Sequence, residues 1–217
     1  MVALYEKLRP KTLSDFIGHT EAIQQLESMR ESIGFAGQAI WISGPTGTGK
    51  STLARIIADE VGDWTVEEMD AQDLTLDYLR EFKHRCACKP LVGESHSLIV
   101  NEAHKLNDRT VSYLQTFLED ERVQNNATVI FTTTDYGQQR LFGTKSDAFP
   151  FLSRCILVEL KIDEPTMVAF RDYLMRTADK LKLNGKPVAE YDSLLVRCQG
   201  NMRMALQEIA AGKMKAR

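Results

Sequence analysis

The sequence predicts an α/β fold, with a doubly wound parallel sheet of five strands in residues 1–162 and a small three-helix lid domain in residues 163–217. Up to about residue 160, short apolar or β-branched segments alternate with amphipathic segments of helical length. This alternation favours parallel pairing, because each crossover helix must pack back onto the sheet. The composition, 43% apolar and 26% charged, excludes disordered and collagen-like classes.

The elements of the first domain follow in order along the chain. Thr20 can cap a first helix, whose apolar residues recur at helical spacing until Gly34 and Gly37 end it. A short apolar strand follows at 39–43, and a glycine-rich turn then opens a helix that Gly62 stops. We expect further strands at 65–69, 97–100, 128–133 and 156–160, with helices at 74–85 and 111–118 between them.

The second domain begins just before Pro165, where the pattern becomes helical only. Helices are expected at 166–181, 188–198 and 201–214, separated by Asn184-Gly185 and Gly200-Asn201. Three short helices bury little apolar surface alone. We therefore expect them to pack as a lid against the sheet domain.

Charge and apolar run length limit what the chain can bind. Its 27 basic and 30 acidic residues give a net charge of −3, so any contact with nucleic acid must be local. No apolar run approaches the roughly 18 residues that a membrane helix needs, and no secretory apolar core is present. We expect a soluble, cytoplasmic protein without a membrane partner.

The cysteine pattern fits neither a disulfide framework nor a paired C-x2-C zinc ribbon. A metal cluster would have to use C-x-C, a poor tetrahedral clip, within the set His84, Cys86, Cys88 and His96. We therefore favour reduced thiols at Cys86, Cys88, Cys155 and Cys198 over a metal site.

A phosphate-binding motif lies between the strand at 39–43 and the following helix. In such a motif backbone N–H groups face the phosphates, a lysine reaches the β/γ oxygens and a hydroxyl is offered to Mg²⁺. This mechanism requires a strand before the motif and an amphipathic helix after it, and both are predicted here. The alternative is a glycine-rich turn from strand to helix that binds no phosphate. The residues that fit G-x-x-x-x-G-K-[ST] are Gly44, Pro45, Thr46, Gly47, Thr48, Gly49, Lys50 and Ser51.

Hydrolysis of a bound nucleoside triphosphate also needs one residue that holds the metal and another that orients water. These are normally an Asp-Glu pair after a second buried strand. Here the strand at 97–100 ends in Asn101-Glu102. Glu102 is the candidate base, and Ser51 with Asn101 are the candidate metal ligands. A neutral amide lacks the charge that strengthens a hydrogen bond to metal-bound water. We expect weakened Mg²⁺ binding or turnover, and we expect Asn101→Asp to raise turnover.

Four further motifs surround this site. Residues 5–18, YEKLRPKTLSDFIG, precede it, residues 68–73, EMDAQD, follow the second strand, residues 153–155, SRC, precede the last strand, and residues 200–206, GNMRMAL, open the last helix. These motifs resemble the opening E-K-Y-R-P-K-T-L, the E-L-N-A-S-D, the S-R-C and the G-D-M-R-x-A-L of clamp-loader AAA+ ATPases, the small-subunit type of replication factor C and its phage counterparts. The resemblance covers essentially the whole chain.

The resemblance implies a P-loop NTPase of the AAA+ class that binds ATP with Mg²⁺. It implies that Arg154 is a finger reaching the ATP of a neighbouring subunit, that Arg203 is a lid arginine touching the γ-phosphate, and that Thr134 stands at a polar sensor position. Lys50 would share in catalysis. Beside the phosphate loop, the nucleotide pocket would include Arg9, Ile17, Gly18 and Thr52.

The sequence also departs from this family. Besides Asn101, His104 replaces the last Asp of D-E-A-D, and Gln115-Thr116 replace a pair of arginines. No third, helical collar domain follows the lid, so we expect a subunit without one.

Three functions stay open. The first is an ATP-hydrolysing subunit of a homo- or hetero-oligomeric clamp loader that engages a sliding clamp and primer-template DNA, or another AAA+ replication or recombination loader. The second is a degenerate subunit that binds ATP without efficient hydrolysis, and the third is a P-loop kinase that needs no oligomer. Candidates for contacts with DNA phosphates are Lys83, Arg85, Lys105 and Arg109.

Overall fold

A computed structural model describes residues 3–62, 66–134 and 148–215. Five strands form one parallel sheet in the order β2-β3-β4-β1-β5. This confirms the predicted α/β fold, although residue 65, expected to begin β2, lies outside the described residues. The strands are β1 (Ala39–Ser43), β2 (Glu67–Asp70), β3 (His96–Asn101), β4 (Ala127–Thr133) and β5 (Ile156–Glu159).

The described helices connect these strands and then continue alone after β5. Single 3-10 turns occur at Leu13–Asp15 and Ala103–Lys105. The α-helices are α1 (Leu4–Lys7), α2 (Thr20–Ser32), α3 (Lys50–Glu60), α4 (Leu76–Arg85), α5 (Asp108–Leu118), α6 (Glu121–Asn126), α7 (Ala148–Leu152), α8 (Glu164–Lys180), α9 (Val188–Arg197) and α10 (Met202–Ala210).

Helices cover both faces of the sheet, because successive strand residues point to opposite sides. Ile40 and Ile42 pack in a buried cluster with α2 and α3. Trp41 between them packs in the cluster formed with α4 and α5. Every residue of β4 is buried, which explains its uninterrupted run of apolar and threonine residues. The sheet is therefore a rigid layer that fixes the positions of the strand ends.

The three helices after residue 163 form a separate buried cluster that includes Phe170, Leu194 and Ile209. Residues of the N-terminal segment, such as Leu8 and Ile17, pack against it. This segment therefore links the lid helices to the sheet domain, and the boundary at 162/163 stays a prediction. Among the described helices, none has the length and apolarity to cross a membrane.

Candidate functional site

The predicted phosphate-loop, metal and base residues lie at the carboxyl edge of the sheet. Parallel strands end on the same edge, and this edge is where open α/β sheets bind ligands. The phosphate loop follows β1, Asn101 ends β3 with Glu102 next to it, and Thr134 follows β4. The fold thus brings together residues that are far apart in the sequence.

Two glycines let the phosphate loop pack closely against its neighbours. Gly49 has φ 107°, and a Cβ there would lie 2.7 Å from Cζ of Phe16. Gly47 has φ 81°, and a Cβ there would overlap Oδ1 of Asn201. The Gly47 carbonyl also accepts a 3.2 Å hydrogen bond from the Met202 N–H, the first residue of α10. The loop therefore contacts both the N-terminal segment and the lid.

Lys50 is the first residue of α3 and is only 9% exposed. Its Nζ donates hydrogen bonds to the carbonyl oxygens of Gly44, at 2.8 Å, and Pro45, at 2.7 Å. Thr48 Oγ1 also donates to the Pro45 carbonyl, at 2.8 Å. The ammonium group therefore lies inside the loop, beside the N-terminus of α3, where an anion is favoured.

A cleft of about 110 Å³ opens beside the loop. The Arg203 guanidinium lies over the Tyr5 ring, 5.5 Å from its centroid. Of the predicted pocket residues, Arg9, Ile17, Thr52 and Arg203 line the cleft together with Gly47, Thr48 and Gly49. Gly18 is not among the residues that line this cleft, and a Cβ there would meet Thr166 Cγ2 at 2.8 Å, so its part in nucleotide binding stays a prediction.

Ser51 and Asn101 are in direct contact, with Ser51 Oγ donating to Asn101 Oδ1 at 3.0 Å. Thr132 Oγ1 donates to the same oxygen at 2.8 Å. The amide Nδ2 donates to Oε1 of Glu68 at 2.7 Å, and Glu68 Oε2 accepts from Arg55 Nε at 2.6 Å. Five side chains from α3 and three strands thus form one hydrogen-bonded network.

The side-chain oxygen atoms of this network fit Mg²⁺, which prefers oxygen ligands and is usually held by few protein groups plus phosphates. Ser51, the last residue of the phosphate loop, brings its Oγ within 3.0 Å of Asn101 Oδ1. These two oxygens would hold the ion. The Glu68 carboxylate would contact it only indirectly, through Asn101. Neither Glu68 nor Thr132 was predicted, because nothing local in the sequence indicates a contact between β2 and β3.

Glu102 takes a left-handed backbone conformation, φ 55° and ψ 41°, which is uncommon for a residue other than glycine and concentrates at functional sites. The carboxylate is 40% exposed, and its Oε2 lies 3.4 Å from Nε2 of His104. His104 Nδ1 lies 3.1 Å from Thr133 Oγ1, which donates to the Thr134 carbonyl. His104 thus links Glu102 to the end of β4.

Comparisons with known proteins agree with this geometry. The model of the family described as "ATPase family associated with various cellular activities (AAA)" matches residues 40–141, from β1 past the end of β4. This match covers just under half of the chain. The predictions of an AAA-type ATPase and of its fold are confirmed at this level.

Two curated relatives are archaeal replication factor C subunits. The small subunit of Haloarcula marismortui is 27% identical over 212 residues, which cover 95% of this chain and 61% of that protein. The large subunit of Natronomonas pharaonis is 29% identical over 136 residues, which cover 60% of this chain and 27% of that protein. The chain therefore spans less than two thirds of the length of either relative.

Solved structures agree on the fold. RuvB of Thermotoga maritima, titled a Holliday junction branch migration motor, superposes with a TM-score of 0.66 at 23% identity, covering 94% of this chain and 64% of that one. The replication initiator DnaA, bound to AMPPCP and single-stranded DNA, superposes with a TM-score of 0.66 at 20% identity, covering 96% of this chain and 66% of that one.

Arg154 lies at the opposite, amino edge of the sheet. It stands two residues before β5, whose first residue, Ile156, pairs with Ile40 near the start of β1. The guanidinium Nε donates to Glu119 Oε1 at 2.9 Å, and Nη1 donates to the Pro150 carbonyl. Strand β1 spans about 16 Å, so the phosphate loop of the same AAA domain lies beyond the reach of this side chain.

The basic residues considered for DNA differ in their surroundings. Lys83 Nζ lies 3.4 Å from Asp120 Oδ2, and Arg85 Nη2 lies 2.7 Å from Glu67 Oε1. Lys105 and Arg109 are exposed, next to the Glu102 turn and at the start of α5. The first two cations are thus engaged within the chain, so Lys105 and Arg109 are the stronger candidates for phosphate contacts.

Proposed function

We propose that this chain is an ATP-hydrolysing AAA+ subunit of a DNA-replication clamp loader that works as a cytoplasmic oligomer. ATP binding would drive the oligomer to engage a sliding clamp and primer-template DNA. The single observation that carries the proposal is the division of charged groups between two edges of the sheet. Lys50, Glu102 and the phosphate loop lie at the carboxyl edge, whereas Arg154 lies at the amino edge.

The carboxyl edge supplies the parts that bind and orient the nucleotide. The loop amides and Lys50 would hold the β- and γ-phosphates, and the adenine would occupy the cleft between Ile17 and Met202. Arg203, which lines this cleft, would approach the γ-phosphate from the lid. Ser51 and Asn101 would hold Mg²⁺, which when bound would neutralise charge on the phosphates. Glu102 would orient the attacking water, with Thr134 as a polar neighbour at the end of β4.

The amino edge supplies the part that a neighbouring subunit needs. Phosphoryl transfer is accelerated by a positive charge placed beside the negatively charged transferring group. An arginine from another subunit that supplies this charge contributes about 10³–10⁵ in rate. Arg154 cannot reach its own phosphate loop across the sheet, so its role requires a second copy or a related subunit. The likeness to replication factor C subunits supports such an assembly.

A second candidate is a subunit that binds ATP without efficient hydrolysis. Asn101 favours this alternative, because the residue between Ser51 and Glu68 carries no charge of its own. ATP binding without turnover at every protein concentration, with and without clamp and primed DNA, would identify it.

Turnover measured against protein concentration tests the proposal. Activity per subunit should climb with concentration, and Arg154→Ala should lower it by about 10³-fold while ATP affinity stays within a factor of about two. A mixture of Arg154→Ala and Lys50→Ala proteins should regain part of the activity, because mixed interfaces contain intact sites.

Arg80→Ala serves as the matched control, since Arg80 is also ion-paired within the chain, 2.7 Å from Asp77. This control should behave as wild type. Wild-type activity per subunit that is independent of dilution, together with a mixture that stays inactive, would contradict a shared site.

A further inference from the structure

Glu68 is the first residue of the EMDAQD motif, but that motif gave it no role in the candidate site. Its side chain is 22% exposed and lies between Asn101 and Arg55. The Oε1 atom accepts from Asn101 Nδ2 at 2.7 Å, and the Oε2 atom accepts from Arg55 Nε at 2.6 Å. A carboxylate therefore stands directly behind the amide that occupies the usual aspartate position.

The Glu68 carboxylate fixes the orientation of the Asn101 amide. An ionised carboxylate only accepts hydrogen bonds, so the amide NH2 must face Glu68 and the amide oxygen must face the other way. That oxygen accepts from Ser51 at 3.0 Å and from Thr132 at 2.8 Å. Both hydroxyls are donors in this arrangement, and the amide oxygen is directed toward the phosphate-loop side of the site.

We propose that Glu68 supplies the negative charge that Asn101 lacks, and that the Asn101 amide transmits it to the oxygen beside Ser51. A hydrogen bond to a charged acceptor polarises the amide and makes its oxygen a stronger acceptor. Glu68 is a positioning residue, because it acts on the metal through Asn101. The inference rests on the proposed function and deepens it.

This arrangement changes the expectation for Asn101→Asp. The substitution would replace the NH2 group that Glu68 accepts from with a second carboxylate oxygen, at a place where the two atoms are now 2.7 Å apart. Like charges at this distance repel, so adding the customary aspartate alone should not improve the site. Exchanging the two side chains, as Asn101→Asp with Glu68→Gln, keeps one negative charge and one amide in contact.

The test measures ATP affinity with and without Mg²⁺, by equilibrium titration of a fluorescent ATP analogue. The measured quantity is the gain in affinity that Mg²⁺ gives. Glu68→Gln should lower this gain by about tenfold, the usual size for the loss of an outer-shell partner. Asn101→Asp alone should not raise the gain. The double variant should recover most of the wild-type gain.

Glu67→Gln is the matched control, since Glu67 is the adjacent residue on β2 but contacts Arg85 and Tyr78 instead of Asn101. Arg55→Gln removes the Arg55 ion pair and keeps the Glu68 charge, so it isolates any loss of stability, which a thermal midpoint records. Glu67→Gln should keep the Mg²⁺ gain within about twofold of wild type, below the outer-shell loss.

The outcomes separate the two proposals. If wild-type protein does not bind ATP, the proposed function and this inference both fail. If wild type shows a gain from Mg²⁺ and Glu68→Gln matches Glu67→Gln, or if the double variant is no better than Glu68→Gln, only the inference about Glu68 is overturned.

Discussion

The two edges of the sheet differ in how complete they are within one chain. At the carboxyl edge, side chains from α3, β2, β3 and β4 are joined by hydrogen bonds around Ser51 and Asn101. At the amino edge, Arg154 pairs with Glu119 at the end of α5, and no described residue of the phosphate loop is near it. Under the proposed function, the carboxyl edge would receive a nucleotide, whereas the amino edge would present a cation to a neighbour.

If the proposal holds, a single chain carries two halves of different sites. Variants at the carboxyl edge should change what one chain does alone. Variants at the amino edge should change only what chains do together. The following substitutions test this division, from the largest expected effect to the smallest.

Lys50→Ala should abolish ATP binding in the isolated chain. The lysine would be the side-chain complement to the β- and γ-phosphates, and its removal also takes one hydrogen-bond donor from each of the Gly44 and Pro45 carbonyls. Wild type at an ATP concentration 100 times its dissociation constant should gain about 2.7 kcal/mol of stability, which a thermal shift detects. Lys50→Ala should show no such shift.

Lys11→Ala is the control for this measurement, because Lys11 is an exposed cation at a neighbouring groove and does not line the nucleotide cleft. A full ATP-dependent shift in the Lys50→Ala protein would mean that the nucleotide binds elsewhere.

Glu102→Gln should lower turnover by about 100-fold and leave ATP bound, since a positioned base contributes about 10²–10⁴ in rate. The amide keeps the shape of the side chain and removes the charge that faces His104 at 3.4 Å. Single-turnover hydrolysis and filter binding, measured side by side, check the prediction. Glu60→Gln, which neutralises a carboxylate at the far end of α3, should leave both quantities unchanged.

Unchanged turnover in Glu102→Gln would move the catalytic role to another residue at this edge. The effect should also be independent of protein concentration, because Glu102 and the phosphate loop belong to the same chain. If Glu102→Gln lowers turnover only at protein concentrations where subunits associate, then the carboxyl edge, like the amino edge, acts only between subunits.

The sequence was most informative where the signal is local. The phosphate loop is eight consecutive residues whose neighbours on either side, β1 and α3, are also contiguous, so its spacing predicted both fold and ligand. Strand positions were predictable for the same reason, because β-branched and apolar runs such as β4 must be buried on both faces.

Contacts between distant segments could not be predicted in this way. Glu68 and Asn101 are 33 positions apart, and Arg154 and Glu119 are 35 positions apart. Each contact depends on which strands or helices become neighbours in space. Gly18 was assigned to the pocket by resemblance alone; its left-handed backbone, φ 72°, and its closeness to Thr166 in the lid depend on contacts between distant segments. Family motifs indicate which positions matter. The side chains that contact a residue such as Asn101, where this sequence departs from the family, become known only from the fold.

Glu119→Gln should give the smallest effect and the sharpest test of the amino edge. Glu119 is exposed and holds Arg154 within its own chain, so a finger role requires this pair to break or rearrange when a neighbour's phosphates approach. An exposed ion pair contributes about 0.2–1 kcal/mol, so releasing Arg154 should raise turnover by at most about fivefold, and only at protein concentrations where subunits associate.

The control is Glu121→Gln, which neutralises the first residue of α6, two positions along the chain. It should leave the concentration dependence of turnover unchanged. In an Arg154→Ala background, Glu119→Gln should have no effect, because the two residues act as one pair and their contributions are not additive. If Glu119→Gln instead lowers turnover as strongly as Arg154→Ala, then Glu119 orients the arginine for the neighbouring site, and the ion pair belongs to the active arrangement of the interface.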